Sequence, residues 1–147
     1  MVLFNICCIF AFKYKRRMKK NWIILCTAIA VLTGCNQKMT QEERFLQIAE
    51  RENLKCPVLM NGTTRFDSTR YDATANKVSY YYTLLGEADN AKKYQRNYEN
   101  YRKALEKHVI GALEMKAYVD YGTTIQYVYY SDSTQSVIAD FIFNSPN

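Results

Sequence analysis

The 147-residue chain predicts an α+β fold: a two-layer sandwich in which a four-stranded, mainly antiparallel sheet carries two helices on one face. Three observations predict it. Apolar residues recur at helical spacing after a capping signal at Thr40, and again after Asn90. Two pairs of segments rich in Tyr, Val, Thr and Phe, each pair split by turn residues, read as hairpins. The order along the chain is α-β-β-α-β-β, too few elements for more than one core.

The first helix opens at Thr40-Gln41-Glu42-Glu43. This is a capping box, in which the threonine oxygen accepts from the third helical amide and Glu43 reaches back to the cap amide. Phe45, Leu46, Ile48 and Ala49 give the helix an apolar face. It ends near Leu54, because Pro57 pushes Cys56 toward extended geometry. Val58 to Thr69 and Lys77 to Leu85 form the first hairpin, with DATANK as its loop. Asn61-Gly62 is a tight turn or a bulge within the first strand. Gly86 to Asn90 interrupts the pattern, and Asp89 or Asn90 caps a longer helix. Its apolar positions are Tyr94, Tyr98, Tyr101, Leu105, Val109 and Ala112, with Glu99 and Lys103 paired one turn apart on a flank. Gly111 weakens this helix, so a kink or two consecutive helices is expected there, and Gly122 suits the position after a helix end. Thr123 to Tyr130 and Ser136 to Phe143 make the second hairpin around SDSTQ. The resulting sheet resembles a circular permutation of the ferredoxin-like arrangement, with the second and last strands central.

Ahead of these elements lies MKKNWIILCTAIAVLTGCNQ, Met18 to Gln37. Lys19 and Lys20 form a basic start, Trp22 to Thr33 is a twelve-residue apolar run, and Leu32-Thr33-Gly34-Cys35 places small residues before a cysteine. A spanning helix needs about 20 apolar residues, so the run fits the apolar region of a secretory signal instead. The combination resembles the lipobox of bacterial lipoproteins. That resemblance implies a diacylglyceryl group on the Cys35 sulfur, cleavage before Cys35 and acylation of the new amino terminus. Several acyl chains anchor firmly where one anchors marginally. The other readings are an ordinary secretory leader, or an apolar run that merely ends near a cysteine. Asn36, where Asp would favour retention in the inner membrane, leans toward the periplasmic side of the outer membrane. Residues 1–17 hold a second apolar run followed by KYKRR. They read as a start assigned too far upstream, a long basic region or a retained inner-membrane segment. The expected division is a leader over 1–34, a lipidated cysteine and tether over 35–40, and a single α+β domain over 41–147.

The net charge of +6 belongs to the leader. Residues 1–35 hold six of the twenty basic residues and no acid, leaving fourteen bases against fourteen acids in the rest. A balanced domain has no field to attract a phosphate backbone, so a nucleic-acid partner is not expected. Cys7, Cys8 and Cys26 fall in the leader and Cys35 is assigned to lipid, so Cys56 has no partner for an intramolecular disulfide. It reads as a buried thiol acting as a small hydrophobe, with a redox role or pairing to another chain as the alternative.

Motifs for chemistry are missing. His108 is the sole histidine, which excludes a multi-histidine metal site. There is no Cys-x-x-Cys, glycine-rich phosphate loop or nucleophile elbow. Glu42 and Glu43 are explained by the positive end of a helix dipole, and Asp140 is a lone strand acid. No cofactor, no metal and no catalytic residue are expected, and the chain does not read as an enzyme.

The strands carry more aromatic surface than one buried face absorbs. Val78, Tyr80, Tyr82 and Leu84 alternate with Ser79, Tyr81, Thr83 and Leu85; Ile125, Tyr127 and Tyr129 alternate with Gln126, Val128 and Tyr130; Val137, Ala139, Phe141 and Phe143 alternate with Ile138, Asp140 and Ile142. With helices on one face, the other keeps Tyr81 and Tyr130. Arg65 and Asp67 share a face of the first strand, with Phe66 on the opposite one. These four residues are candidates for binding a partner, an envelope protein for a chain moored to a membrane by lipid. The same residues also suit a solvated sheet with tyrosine fillers and a local ion pair. The alternative function is a small-ligand carrier, with a pocket between the long helix and the sheet lined by Tyr94, Tyr98 and Tyr101.

LKCPVLMNGTTRFDS, VSYYYTLL and YGTTIQYVYY are similar to a group of small uncharacterised exported bacterial proteins. The shared pattern is a helix, Cys-Pro, a Thr-Arg-x-Asp strand, a Tyr-x-Tyr-Thr strand and a late Gly-x-Thr-x-x-Tyr-x-Tyr strand. Thr64, Arg65, Asp67, Tyr80, Tyr82, Thr83, Gly122, Thr124, Tyr127 and Tyr129 carry it here. The resemblance implies no activity. Some members of that group have a late cysteine to pair with the one before proline, and this chain lacks it.

Overall fold

The computed structural model describes residues 38–144. The leader, Cys35 and most of the tether lie outside the described residues. Among them are α1 (Gln41–Asn53), β1 (Val58–Leu59), β2 (Thr64–Asp72), β3 (Lys77–Leu84), a 3-10 turn (Gly86–Ala88), α2 (Ala91–Arg96), α3 (Tyr98–Gly111), α4 (Lys116–Asp120), β4 (Thr124–Ser131) and β5 (Val137–Phe143). The fold is α+β, with one mixed sheet in the order β1-β2-β3-β4-β5. No helix among the described residues is long and apolar enough to cross a membrane.

Local signals decide the ends of these elements. Thr40 caps α1 through its hydroxyl on the Glu43 amide at 3.2 Å, while the Glu43 carboxylate takes the Thr40 amide at 2.8 Å. The two helical turns before Asn53 bury Phe45 and Ala49. Asn61-Gly62 is a turn, with Gly62 at φ +78°, and it folds β1 back on β2 in register Val58 with Phe66. The expected strand over 58–69 is therefore two strands, and the sheet has five rather than four. Asn90 caps α2 by accepting from the Lys93 amide at 3.0 Å.

The long second helix expected through Ala112 is two helices, α2 and α3, and the short α4 follows them. The first break falls at Asn97, which leaves helical geometry at φ −113° and ψ 16°. Its side-chain amide donates to the Lys93 carbonyl at 2.9 Å, the local competition that makes Asn a better cap than an interior helical residue. Gly111 ends α3, as its weakness suggested. After α4, Gly122 at φ +69° takes the left-handed position. Its amide bonds to Val119 O and the Thr123 amide to Tyr118 O, a Schellman close.

The chain from β3 to β4 runs through all three of these helices and returns to the same end of the sheet. Hence β3 and β4 pair in parallel, Tyr80 beside Tyr127 and Tyr82 beside Tyr129. A crossover of a dozen or more residues permits this pairing, whereas the short hairpin loops enforce antiparallel neighbours. The expected arrangement with the second and last strands central is thereby corrected: β3 and β4 are central and β5 is an edge.

All four helices pack on one sheet face. Phe45 of α1 stacks on Tyr118 of α4 at 4.3 Å and meets Tyr71 of β2 edge-on at 5.2 Å. Tyr98 of α3 stacks on Phe141 of β5 at 4.7 Å, and Tyr94 of α2 lies 5.9 Å from Tyr129. Beneath them an aromatic row crosses the sheet from Phe66 to Tyr82 to Tyr129, each step 5.2 Å, and on to Phe141 at 6.0 Å. Buried phenols need partners, and the Met115 sulfur accepts from both Tyr80 and Tyr127 at 3.9 and 4.0 Å. The alternation expected for β3, β4 and β5 holds for this face except at Val137, which is 53% exposed. A register shift between Tyr129 and Tyr130 lies beside it.

A helix residue bonds to strand backbone near each side of the sheet. Asn53, the last residue of α1, accepts from the Thr69 amide and donates to the Thr69 carbonyl, each at 2.8 Å, so it stands in for a strand beyond the end of β1. On the other edge the Tyr98 hydroxyl donates to the Asp140 carbonyl at 3.1 Å. Asn53→Ala orphans both Thr69 groups and is expected to destabilise the domain by about 1–3 kcal/mol. Asn53→Asp keeps the acceptor and loses the donor, so its urea midpoint should fall between those of wild type and Asn53→Ala.

Candidate functional site

Among the described residues no helix crosses the second sheet face, and all four candidate partner-binding residues lie on it. Register places them. Arg65 pairs with Thr83 and Thr83 with Tyr130, while Ser68 pairs with Tyr81, Tyr81 with Val128 and Val128 with Asp140. One row further along are Arg70, Ser79, Gln126 and Ile142. The Tyr81 and Tyr130 rings are 6.5 Å apart and half-buried.

Two groups of polar side chains on this face are bonded internally. The Arg65 Nε donates to Asp67 Oδ1 at 2.6 Å, and the Thr83 hydroxyl donates to Asp67 Oδ2 at 2.6 Å. A register shift between Phe66 and Ser68 sets Asp67 outside the regular pairing. The bond and charge from Asp67 raise the already high pKa of the Arg65 guanidinium, which also lies 3.9 Å from Asp132. Ser79 donates to Gln126 Oε1 at 2.9 Å, and Gln126 Nε2 donates to both Asp140 oxygens at 2.9 and 3.0 Å. Small residues lie between long ones: Ser79, Thr83 and Val128 are each under 10% exposed although no described helix covers them.

The expected carrier pocket has a different lining. Tyr94 and Tyr101 stack at 4.6 Å and Tyr98 lies against Phe141, so these rings fill the space between helix and sheet instead of enclosing a cavity. A groove of about 340 Å³ does open along α3, toward its other end. Val109, Ile125 and Phe143 are among its buried wall residues, with Ile110, Ile142, Arg102 and Glu106 also lining it.

A family described as "Domain of unknown function (DUF8479)" matches residues 39–139. The chain belongs to this family. No curated protein matches its sequence. Three solved structures share the fold of the DUF8479 domain. A secreted-protein candidate from Pseudomonas aeruginosa is 15% identical with a TM-score of 0.62, over 76% of this chain and 96% of that one. The type 2 secretion system pilotin EpsS of Vibrio vulnificus is 15% identical with a TM-score of 0.54, over 71% and 88%. The type II secretion system pilotin AspS of Vibrio cholerae is 14% identical with a TM-score of 0.52, over 71% and 89%.

The remaining reactive residues of the DUF8479 domain are held structurally. The Cys56 thiol donates to the Glu52 carbonyl at 3.4 Å. Burial raises its pKa, followed by the charges of Glu52 and Asp67, and a protonated thiol is a poor nucleophile. His108 is exposed and 3.9 Å from Glu114. Among the described residues no three His, Cys, Asp or Glu side chains gather as metal ligands. Arg70, Gln126 and Asp140 complete the open face, and sequence reading did not place them there together. Asp140 interrupts an apolar strand, which is the one local signal. Gln126 and Ser79 are 47 positions apart, and only the parallel pairing joins them.

Proposed function

We propose that this chain is a lipid-anchored cell-envelope protein that acts as a non-catalytic interaction module, an accessory component in the manner of the secretion-system pilotins. Cys35 would carry the lipid, with the domain on the periplasmic side of the outer membrane. The observation that carries this reading is the open sheet face, where Tyr81, Tyr130, Arg65 and Asp67 lie together and the Arg65, Asp67 and Thr83 side chains are already bonded to one another. Tyrosine and arginine are the residues interfaces favour, and pre-bonded polar groups are not orphaned when covered. The fold shared with two pilotins supports an accessory role rather than a catalytic one.

The test has two parts. Mass spectrometry of the protein from its native membrane should find a chain beginning at an acylated Cys35; an intact leader with a free thiol there would remove the anchor. Tyr81→Ser with Tyr130→Ser should lose crosslinked partners from that membrane by about tenfold, as for interface anchors worth 1–2 kcal/mol. A thermal melt of the variant separates lost contact from lost fold. Unchanged capture of every partner would sink the platform.

A second reading rests on the groove beside α3. At about 340 Å³ it is within the size range of small-ligand sites, and it suits a carrier of an apolar compound.

A further inference from the structure

The outer edge of β5 and the groove beside α3 meet. Thr124, at the start of β4, and Asp132, just past its end, donate their amides toward the β3 side, to the Asn76 and Leu84 carbonyls. Backbone direction alternates along a strand, so Ile125 and Tyr127 face β5, and their partners Phe143 and Phe141 face β4. Asp140 and Ile142 therefore turn their backbone groups away from the sheet. Tyr98 takes the Asp140 carbonyl. The Ile142 amide and carbonyl have no partner among the described residues, and no described strand lies beyond β5.

The groove of about 340 Å³ opens at this edge, with Ile142 as its half-exposed lip and Ile125 and Phe143 buried inside. Arg102, Glu106, Val109 and Ile110 form the α3 wall, a stripe at helical steps of three and four. Arg102 and Glu106 are exposed and enter no ion pair among the described residues.

We propose that an extended segment of a partner protein docks here as an added strand antiparallel to β5, with an apolar side chain in the groove, a basic one facing Glu106 and an acidic one facing Arg102. The site is distinct from the tyrosine face and does not depend on it. An antiparallel partner exchanges two hydrogen bonds with one residue, and Ile142 offers both groups. Main-chain bonds give such docking its affinity, and side-chain pockets its choice of sequence. Arg102 and Glu106 are one helical turn apart, about 6 Å by rise, close to the spacing of about 6.7 Å between side chains on one face of a strand. A segment beside α3 can thus meet both charges with alternate residues. Tyr98, at the start of α3, lies on Phe141, and Val109, near its end, shares the groove with Phe143. The antiparallel strand accordingly reads apolar, basic, acidic at alternate positions. A free apolar compound fills the groove but answers neither the bare backbone nor the two charges.

The probe is the end-capped, dye-labelled peptide TLVKTET, in which leucine, lysine and glutamate share one face. It is titrated into the full chain in detergent and read by fluorescence polarisation. Binding should saturate below about 1 mM. Ile142→Pro deletes an amide that the fold does not use, and an edge strand tolerates proline there. It should bind the peptide at least about tenfold more weakly than Ile142→Ala, which trims the side chain and keeps the amide. Arg102→Glu with Glu106→Arg should lose TLVKTET by a similar factor and gain the charge-exchanged peptide TLVETKT. Tyr81→Ser with Tyr130→Ser should leave peptide binding unchanged, so this site and the tyrosine face stand or fall separately. Thermal melting checks each variant; should Ile142→Pro unfold, the charge exchange on the exposed α3 stripe still decides. No saturation of the wild type by either peptide, equal binding by Ile142→Pro and Ile142→Ala, or no gain of TLVETKT by the exchange overturns the strand site. So does anilinonaphthalene sulfonate seated in the groove while neither peptide displaces it, which gives the groove to a small compound. Self-association that Ile142→Pro abolishes while no peptide binds gives the edge to a second copy and overturns it as well.

Discussion

Phe45→Ala lowers the melting temperature by roughly 15–20 °C, the largest effect expected of a single side chain here. Phe45 is 1% exposed and touches three rings: Tyr118 of α4 at 4.3 Å, Tyr71 of β2 at 5.2 Å and Tyr121, just after α4, at 5.6 Å. Truncation removes the apolar side chain and leaves a cavity that three rigid rings cannot collapse into, a loss of about 3–5 kcal/mol. It also frees α1 from α4. Around Phe45, the Tyr121 hydroxyl donates to Glu42, and Asn76 accepts from Tyr71 and Thr123 at 3.0 and 2.9 Å. Those polar ties are set by the packing beneath them. Urea unfolding of Phe45→Ala beside Ile110→Ala provides the contrast. Ile110 is 71% exposed, and its removal should shift the midpoint by no more than experimental error.

Alkali is expected to unfold the domain in one cooperative step between about pH 10 and 12. Burial raises the pKa of Tyr80, Tyr82, Tyr127 and Tyr129 well above the ordinary value, and pushes Tyr118 up to about 12. Neighbouring phenols add to the burial of Tyr80, Tyr82, Tyr127 and Tyr129, and Glu52 adds to that of Tyr118 while its hydrogen bond with Tyr80 opposes the rise. The sign follows from which state loses protons first. In the unfolded chain these phenols ionise near pH 10, while in the fold they stay neutral. The contribution is thus fully present below about pH 10 and is lost as pH rises toward the folded values. Each such tyrosine weakens the fold by about 1.4 kcal/mol per pH unit in that window, and five together by up to roughly 7. That rivals the entire stability of a small domain, typically about 5–15 kcal/mol. Phenolate absorbance at 295 nm and loss of far-ultraviolet dichroism should therefore coincide. Ionisation of these rings with the dichroism intact would mean that their hydroxyls reach water.

What was legible in the sequence was local. Thr40 and Glu43 cap α1 as spaced, because a capping box spans four residues and needs nothing else. Asn61-Gly62 turns, and the alternation Val78-Tyr80-Tyr82 against Ser79-Tyr81-Thr83 separates the faces, because strand period is a local property. Asn97 was read as an interior helical residue, since the apolar spacing runs through it unbroken. The competing side-chain bond to Lys93 decided otherwise. The parallel pairing was missed for a different reason. Hairpin loops announce their neighbours, whereas the β3–β4 pairing depends on where a long crossover lands. The candidate face divides the same way. Tyr81, Tyr130, Arg65 and Asp67 were recognisable one strand at a time. Arg70 and Asp140 joined them only when the register of four strands was known.

The contacts of Asn53 and Tyr98 near the sheet edges have a bearing on aggregation. Strands as rich in tyrosine, valine and phenylalanine as β3, β4 and β5 are the raw material of cross-β fibrils, which grow by templating one bare backbone on the next. Asn53 takes the Thr69 backbone groups and Tyr98 takes the Asp140 carbonyl, so each blocks one template position near its margin. Both residues belong to helices, so loosening α1 or α3 would bare those backbone groups while the sheet is still paired. Helix undocking is thus a route to aggregation that does not require the sheet to melt.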